Sequence, residues 1–373
     1  MKIQPLFNVS FLASKWESEY QTFKESKQDE KLLERLRNWA ARSQLKETAA
    51  EAAFIQVFFC DIWGYAQQGK NADGSYQCSP QFPIARAGQG GGTGQADLAL
   101  GYFGLSGGEL DIPQVLCEFK DIKSLLDGKQ HRKGNDRSPV RQCMDYLREA
   151  QNSLTGNELV APLWGIVTDM NEFRLYCRTK GDTQCQRFVI SPRSADEKES
   201  LLEKSEAGAF LRFLFQKMFH RTSLLTEQGD PYLKKLLKDQ LIHETALEKD
   251  FYLEYRVYRE YLYTTILANN PDFKGTRGSL VRLTQRFLDR CLFLFFCEDM
   301  GKSLDFPANL LRDILINHSK DAYYDPDDNI PWERLKNLFA VMDHGGNFGE
   351  FAINRFNGGL FVSFSVLVQL KIP

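Results

Sequence analysis

Asp97, Glu118 and Lys120 stand in two short segments, "QADLAL" and "VLCEFKD", whose apolar neighbours read as buried strands. Side chains on a strand alternate between its faces, so Glu118 and Lys120 point the same way. By themselves they make a structural ion pair, or a pair of solvated charges at a sheet edge. Asp97 changes that reading. The stretch "GLSGGELDIP" is a hairpin-type connection, and a hairpin brings Asp97 beside Glu118. Two neighbouring carboxylates repel, and each raises the pKa of the other. A divalent cation relieves the repulsion, and oxygen ligands at this charge density suit Mg2+ or Mn2+. An ammonium beside the cation stabilises charge that develops at phosphorus. The three residues together suit phosphodiester hydrolysis.

Other elements must hold that array. "KETAAEAAFIQVFFCDIW" (46–63) reads as a helix ended by Gly64, with Glu47 and Glu51 on one face as i and i+4. Residues 66–82 are rich in turn formers and read as a loop. Strands follow at 95–103 and 114–121. Ser138-Pro139 is a helix start, a capping serine followed by proline at the first helical position. On that helix Gln142 and Tyr146 are i and i+4 and share a face. Residues 163–178 read as two strands about an Asn-containing turn. The order helix, strand, strand, helix, strand, strand over 46–190 is that of an α/β unit. Residues 12–44 read as one or two amphipathic helices. Residues 196–343 read as successive helices at 196–220, 231–268, 278–300, 306–318 and 331–343, with "RFLDRCLFLFFCEDMG" (286–301) as a central buried one.

Composition narrows the function classes. The chain has 373 residues, 43% of them hydrophobic, which suffices for more than one core. Its net charge of −2 excludes a protein that coats DNA through overall basicity, so any nucleic-acid surface is local. The most basic stretch, Lys120 to Arg141, follows the charged strand directly. Lys123, Lys129, His131, Arg132, Lys133, Arg137 and Arg141 are its cations; a solvated loop would explain them, and phosphate contact explains them better beside a phosphodiester site. The eight cysteines form no C-x-x-C pair and no zinc-spaced cluster, which implies reduced thiols in a cytoplasmic protein. "MKIQPLFNVS" has no signal-peptide pattern, and no window is apolar enough to span a membrane. The glycine run 88–94 lacks the P-loop pattern. Two further D-x-K triplets are set aside: Asp121-Ile122-Lys123 points to the opposite face from Glu118, and Asp272-Phe273-Lys274 lies in a loop without a partner carboxylate.

The spacing D-(21-residue step)-E-x-K resembles the PD-(D/E)xK nuclease superfamily. The succession "ETAAEAAFIQVFF", "WGY", "QADLAL", "CEFKD", "RQCMDYL" and "WGIVTDMNEFRLY", followed by "FLFFCEDMG" and "FNGGLF", resembles the front part of type IIG restriction–modification enzymes: a nuclease domain and a helical connector that precede an adenine-specific DNA methyltransferase. Ala96 departs from the family pattern, which has proline there. The resemblance implies an α/β fold, a PD-(D/E)xK-like mixed sheet flanked by helices over 1–195, and an all-α connector over 196–373. It implies Asp97 and Glu118 as metal ligands, Lys120 as the catalytic lysine, and Glu51, or else Glu47, as the carboxylate that completes the metal site. Gln142 and Tyr146 match a Q-x-x-x-Y motif near the cleaved strand.

The expected activity is therefore Mg2+-dependent cleavage of double-stranded DNA in phage defence, with Mn2+ able to substitute. Methyltransferase motifs for S-adenosylmethionine and a flipped adenine do not occur in these residues. The methyltransferase and target-recognition domains are expected elsewhere in the same polypeptide or on a partner chain, and the apolar tail "FVSFSVLVQL" is expected to want a cover. Two rival readings are a nuclease module of a type I-like or other defence complex, and a degenerate nuclease fold kept as a DNA-binding scaffold.

Overall fold

The computed structural model describes residues 3–42, 47–88, 91–104, 111–122, 124–130, 137–153, 161–194, 197, 199–301, 304, 306–315, 330–349, 351–356, 358–362 and 370. The chain divides into two compact units, Met1–Glu244 and Thr245–Pro373.

In the first unit three helices replace the one or two expected: α1 (Val9–Lys15), α2 (Glu17–Glu25) and α3 (Gln28–Ala40). Leu32, Leu36 and Trp39 of α3 recur at helical spacing and are all buried. α4 (Glu47–Phe54) continues without a break into a π-helical stretch, Ile55–Ile62, whose Ile55, Phe58, Phe59 and Ile62 are buried. The sheet runs β1 (Tyr76–Ile84), β2 (Gly94–Phe103), β3 (Ile112–Phe119), β4 (Trp164–Thr168), β5 (Glu172–Cys177) and β6 (Cys185–Val189), in that spatial order. All neighbours are antiparallel except β3 and β4, which are parallel. A parallel step needs a crossover, and α5 (Pro139–Ser153) supplies it.

β1 lies where a loop was expected. β1 contains Pro80 and Pro83 and is an edge strand, the place in a sheet where proline is tolerated. β6, the other edge, was likewise not assigned from sequence. The sheet has two covered faces. On one, Leu116, Val167 and Tyr176 pack against Val140, Cys143, Met144 and Leu147 of α5. On the other, Cys117, Phe119 and Phe173 join Phe54, Phe58 and Trp63 together with Phe213, Phe215 and Phe219 of α6 (Glu206–Phe219). Arg212 of α6 is buried and grips Asp29 of α3 at 2.5 and 2.9 Å. Because α6 belongs to this core, the first unit extends past residue 195, where a domain boundary was expected, to Glu244. That residue lies within α8 (Tyr232–Asn269), which follows the short α7 (Arg221–Leu224).

The second unit contains α9 (Arg277–Met300), α10 (Leu310–Leu315) and α11 (Ile330–His344). It is not all-α, since β7 (Gly346–Phe348) and β8 (Phe351–Ile353) form a hairpin. α9 is amphipathic rather than wholly buried: Phe287, Leu294 and Cys297 are inside, while Phe295 and Phe296 are 50% and 52% exposed. Arg290 is also inside. It donates to the carbonyls of Leu360 and Val362 at 3.0 Å and lies over the rings of Phe339 and Phe361. The tail expected to be exposed begins and ends buried, at Phe361 and Leu370; residues 363–369 lie outside the described residues. Among the described residues no helix is long and apolar enough to cross a membrane.

Candidate functional site

The β2–β3 register pairs Leu98 with Cys117 and Ala99 with Leu116. One further step sets Asp97 opposite Glu118. Ala99 and Leu116 both face α5, and alternation sends Asp97 and Glu118 to that same face. The carboxylate of Asp97 accepts the backbone N–H of Phe119 at 2.6 Å, which ties it to the chain between Glu118 and Lys120. β3 ends at Phe119, but the parallel ladder continues for one bond, from Lys120 N–H to the Thr168 carbonyl at 2.9 Å. That bond holds Lys120 in line with the strand. Its Nζ donates to Glu118 Oε1 at 2.5 Å and to the Phe119 carbonyl at 2.7 Å. Glu118 is 1% exposed and Lys120 6%. The carboxylate, the ammonium and Asp97 therefore meet as their spacing implied.

α5 closes the site from above. Gln142 and Tyr146 are buried, and the Gln142 amide donates to the Tyr146 hydroxyl at 2.9 Å. Gln130 donates to Gln142 at 3.3 Å, a contact that sequence reading missed. Burial, then the negative charge of Glu118, raises the Tyr146 pKa, so its phenol stays protonated. Two glycines allow this close approach. A Cβ on Gly165 of β4 would lie 2.8 Å from Cys143 Sγ and 3.0 Å from a Leu147 methyl, and one on Gly94 would lie 3.0 Å from the Tyr146 ring.

Glu51 reaches the same neighbourhood from α4. Its pKa is raised, first by burial and then by the charge of Asp97, while a hydrogen bond from the Gln81 side chain opposes the shift. Glu47 begins α4, and its side chain lies outside the described residues. Among the described residues no group of three or more His, Cys, Asp or Glu side chains is arranged to hold a metal ion. The donor chemistry at Asp97 and Glu118 fits a hard cation nonetheless. Mg2+ keeps several waters and uses one or two carboxylates, not a closed cage. Burial raises the thiol pKa values of Cys117 and Cys143; for Cys117 the neighbouring Cys143 adds to it before Asp97 and Glu118, and for Cys143 the two carboxylates do. The two carboxylates are hard oxygen donors of the kind that Mg2+ or Mn2+ takes.

The basic residues are less uniform. Arg137 and Arg141 both donate to Asp145 of α5, at 3.1 and 3.2 Å, and Arg148 shares that carboxylate. Lys129 is exposed. Lys123, His131, Arg132 and Lys133 lie outside the described residues. Asp121, of the second D-x-K triplet, is exposed beyond the end of β3. On the same face of the sheet, buried Glu172 of β5 accepts from Arg174 and Arg187 at 2.6 and 2.8 Å, and Arg174 reaches Asp127 at 2.8 Å. This network has no short-range sequence signal, because its members lie up to 60 residues apart.

No curated protein and no solved structure matches the chain. Residues 282–361 are similar to a family described as MmeI, helicase spacer domain. The match runs from α9 past β8, lies wholly in the second unit and covers none of the sheet. It points to the type IIG, MmeI-like restriction enzymes, and so to a region of a restriction–modification enzyme.

Proposed function

We propose that the chain is the Mg2+-dependent DNA endonuclease portion of a type IIG restriction–modification enzyme, followed by its spacer. The observation that carries this reading is the meeting of Asp97, Glu118 and Lys120 on one face of a mixed sheet, beside the parallel β3–β4 step and under Gln142 and Tyr146. The spacer match supports the enzyme class. Asp97 and Glu118 hold the cation, with Glu51 as a third carboxylate close to Asp97. A cation held by these carboxylates would supply Lewis acidity to the phosphate and a lowered pKa to an attacking water. Lys120 then turns its ammonium from Glu118 to the charge that develops at phosphorus. Gln142 and Tyr146 present an amide and a neutral phenol to the cleaved strand. Lys129, Arg137 and Arg141, with Lys123, Arg132 and Lys133, position the double-stranded DNA by phosphate contact. S-adenosylmethionine serves only a methyltransferase domain beyond these residues, on the same polypeptide or a partner chain.

The test is nicking of supercoiled plasmid with Mg2+ or Mn2+, comparing the wild type with Asp97→Ala and Lys120→Ala, each checked for folding by circular dichroism. Metal-dependent cleavage that disappears in both variants is expected. If the chain alone is silent, the assay is repeated with the methyltransferase and recognition parts attached. Cleavage that survives both substitutions, or silence of the assembled enzyme, would return Glu118–Lys120 to a structural ion pair in a scaffold.

A further inference from the structure

Cations that the nuclease site does not use gather in the second unit. Two adjoining clefts lie between α8 and α9 there. The larger, about 1150 Å³, is walled by residues 269–275 and by Ser279, Arg282, Arg286 and Asp289 of α9. The smaller, about 640 Å³, is walled by α8 from Lys249 to Arg259 and by Gln285 of α9. Gln285 lines both, so they form one groove. At 1.5 Å per residue, the stretch of α8 from Lys249 to Asn269 is about 30 Å long.

Its charge is one-sided. Lys249, Arg256, Arg259, Lys274, Arg282 and Arg286 line it, against Asp272 and Asp289. Asp289 accepts the Tyr255 hydroxyl at 2.8 Å, a bond that clips α8 to α9 at the groove floor. Arg256 also contacts Glu260 at 4.0 Å, but both side chains are mostly exposed and such a pair holds weakly. A chain whose net charge is −2 thus concentrates six cations along one groove. Aromatic surface accompanies them. Phe251 packs against Tyr252 and Tyr255 with ring centroids 5.9 Å apart, and Tyr252 remains 61% exposed. A row of cations with an open aromatic face suits a phosphodiester chain and its bases. A strand rising about 3.4 Å per nucleotide would lay roughly nine nucleotides along this length.

We infer that the α8–α9 groove binds the phosphodiester backbone of nucleic acid, as a second contact surface separate from the β3 site. The inference goes beyond the nuclease reading and does not require it. The experiment measures binding of the full chain, in EDTA, to a labelled DNA duplex of about 20 base pairs and to the corresponding single strand, between about 50 and 200 mM salt. Arg256→Gln/Arg259→Gln/Arg282→Gln is expected to weaken binding at least about tenfold and to flatten the slope of log K against log salt by about 2.7 for duplex, or 0.9 for each phosphate no longer neutralised. Lys31→Gln/Lys70→Gln/Lys180→Gln, which removes three exposed cations of the first unit, should change neither by a comparable amount. Tyr252→Ala removes a ring that is 61% exposed, and should weaken the single strand by about one stacking interaction, tenfold or more. Unchanged affinity and slope in the triple groove variant overturn the inference. So does equal competition by polyglutamate of matched charge, which would make the groove a surface for acidic proteins. Lys120→Ala separates the two readings: it should keep wild-type binding while cleavage disappears. Binding through the groove without cleavage by any form sinks the nuclease reading alone.

Discussion

Lys120→Met is the most informative single substitution. It removes the ammonium and keeps most of the apolar stem. In the wild type the Nζ lies 2.5 Å from Glu118 Oε1, with side-chain exposures of 7% and 1%. Deleting one partner of so buried a pair leaves the other charge uncompensated and costs about 3–5 kcal/mol. For a unit the size of Met1–Glu244, each kcal/mol lowers Tm by about 2–4 °C, so the transition should fall by about 6–20 °C. Glu118→Gln/Lys120→Met removes both charges and should recover at least half of that loss, because neutral groups of similar volume tolerate burial. Scanning calorimetry on the full chain reads both units, and a transition of the second unit should stay in place. Cleavage by Lys120→Met at a temperature where it remains folded should fall by about 10²–10³, the worth of one preorganised charge-stabilising donor. A Tm within about 2 °C of the wild type, less than about 1 kcal/mol, would show that the pair is solvated and refute the burial argument. Full cleavage by a stable Lys120→Met protein would refute the role given to the ammonium.

Three other outcomes are expected. Gly165→Ala should destabilise by about 1–3 kcal/mol in urea titration, since its Cβ would press on Cys143 Sγ at 2.8 Å, and Cys143→Ala should relieve part of the cost; equal stability would mean that α5 does not lie this close to β4. Glu172→Gln should cost about 1–3 kcal/mol, because Arg174 and Arg187 lose their shared charge partner while Arg174 keeps Asp127, and a change under about 0.5 kcal/mol would count against that network. Glu51 carries a raised pKa, so folding favours its protonated form: the stability it contributes is present below its unfolded pKa and is lost as pH rises through the folded value. Glu51→Gln should therefore raise Tm at neutral pH, leave it unchanged in acid, and weaken Mn2+ binding measured by calorimetry; a Tm gain that persists in acid would show that Glu51 is not held by Asp97 and burial.

Much of the candidate site is legible in the sequence, because its signals are local. Alternation along "VLCEFKD" puts Glu118 and Lys120 on one side whatever the rest of the chain does. The i, i+4 spacing of Gln142 and Tyr146 puts both on one helix face, and they are hydrogen-bonded there. A turn-rich link between two strands predicts their antiparallel pairing, and that pairing carries Asp97 to Phe119 N–H. The helices 231–268 and 278–300 match α8 and α9 within one residue at each end, because long apolar periodicity persists against any packing.

Other features depend on who meets whom at long range. The turn formers of 66–82 pointed to a loop, and β1 with its two prolines finds its place only at the sheet edge. The first unit runs to Glu244 because α6 sends Phe213, Phe215 and Phe219 into the same core as Trp63, which no local pattern records. Arg137 and Arg141 read as phosphate contacts in the sequence, and only the turn of α5 shows that both also pair with Asp145. The groove cations are scattered from Lys249 to Arg286 in a chain of nearly balanced charge, and they become one surface only when α8 and α9 lie side by side. Composition and period thus determined the faces and lengths of the elements. Partners far apart in sequence were decided by register and packing, because a side chain's charge environment is a property of its neighbours in space.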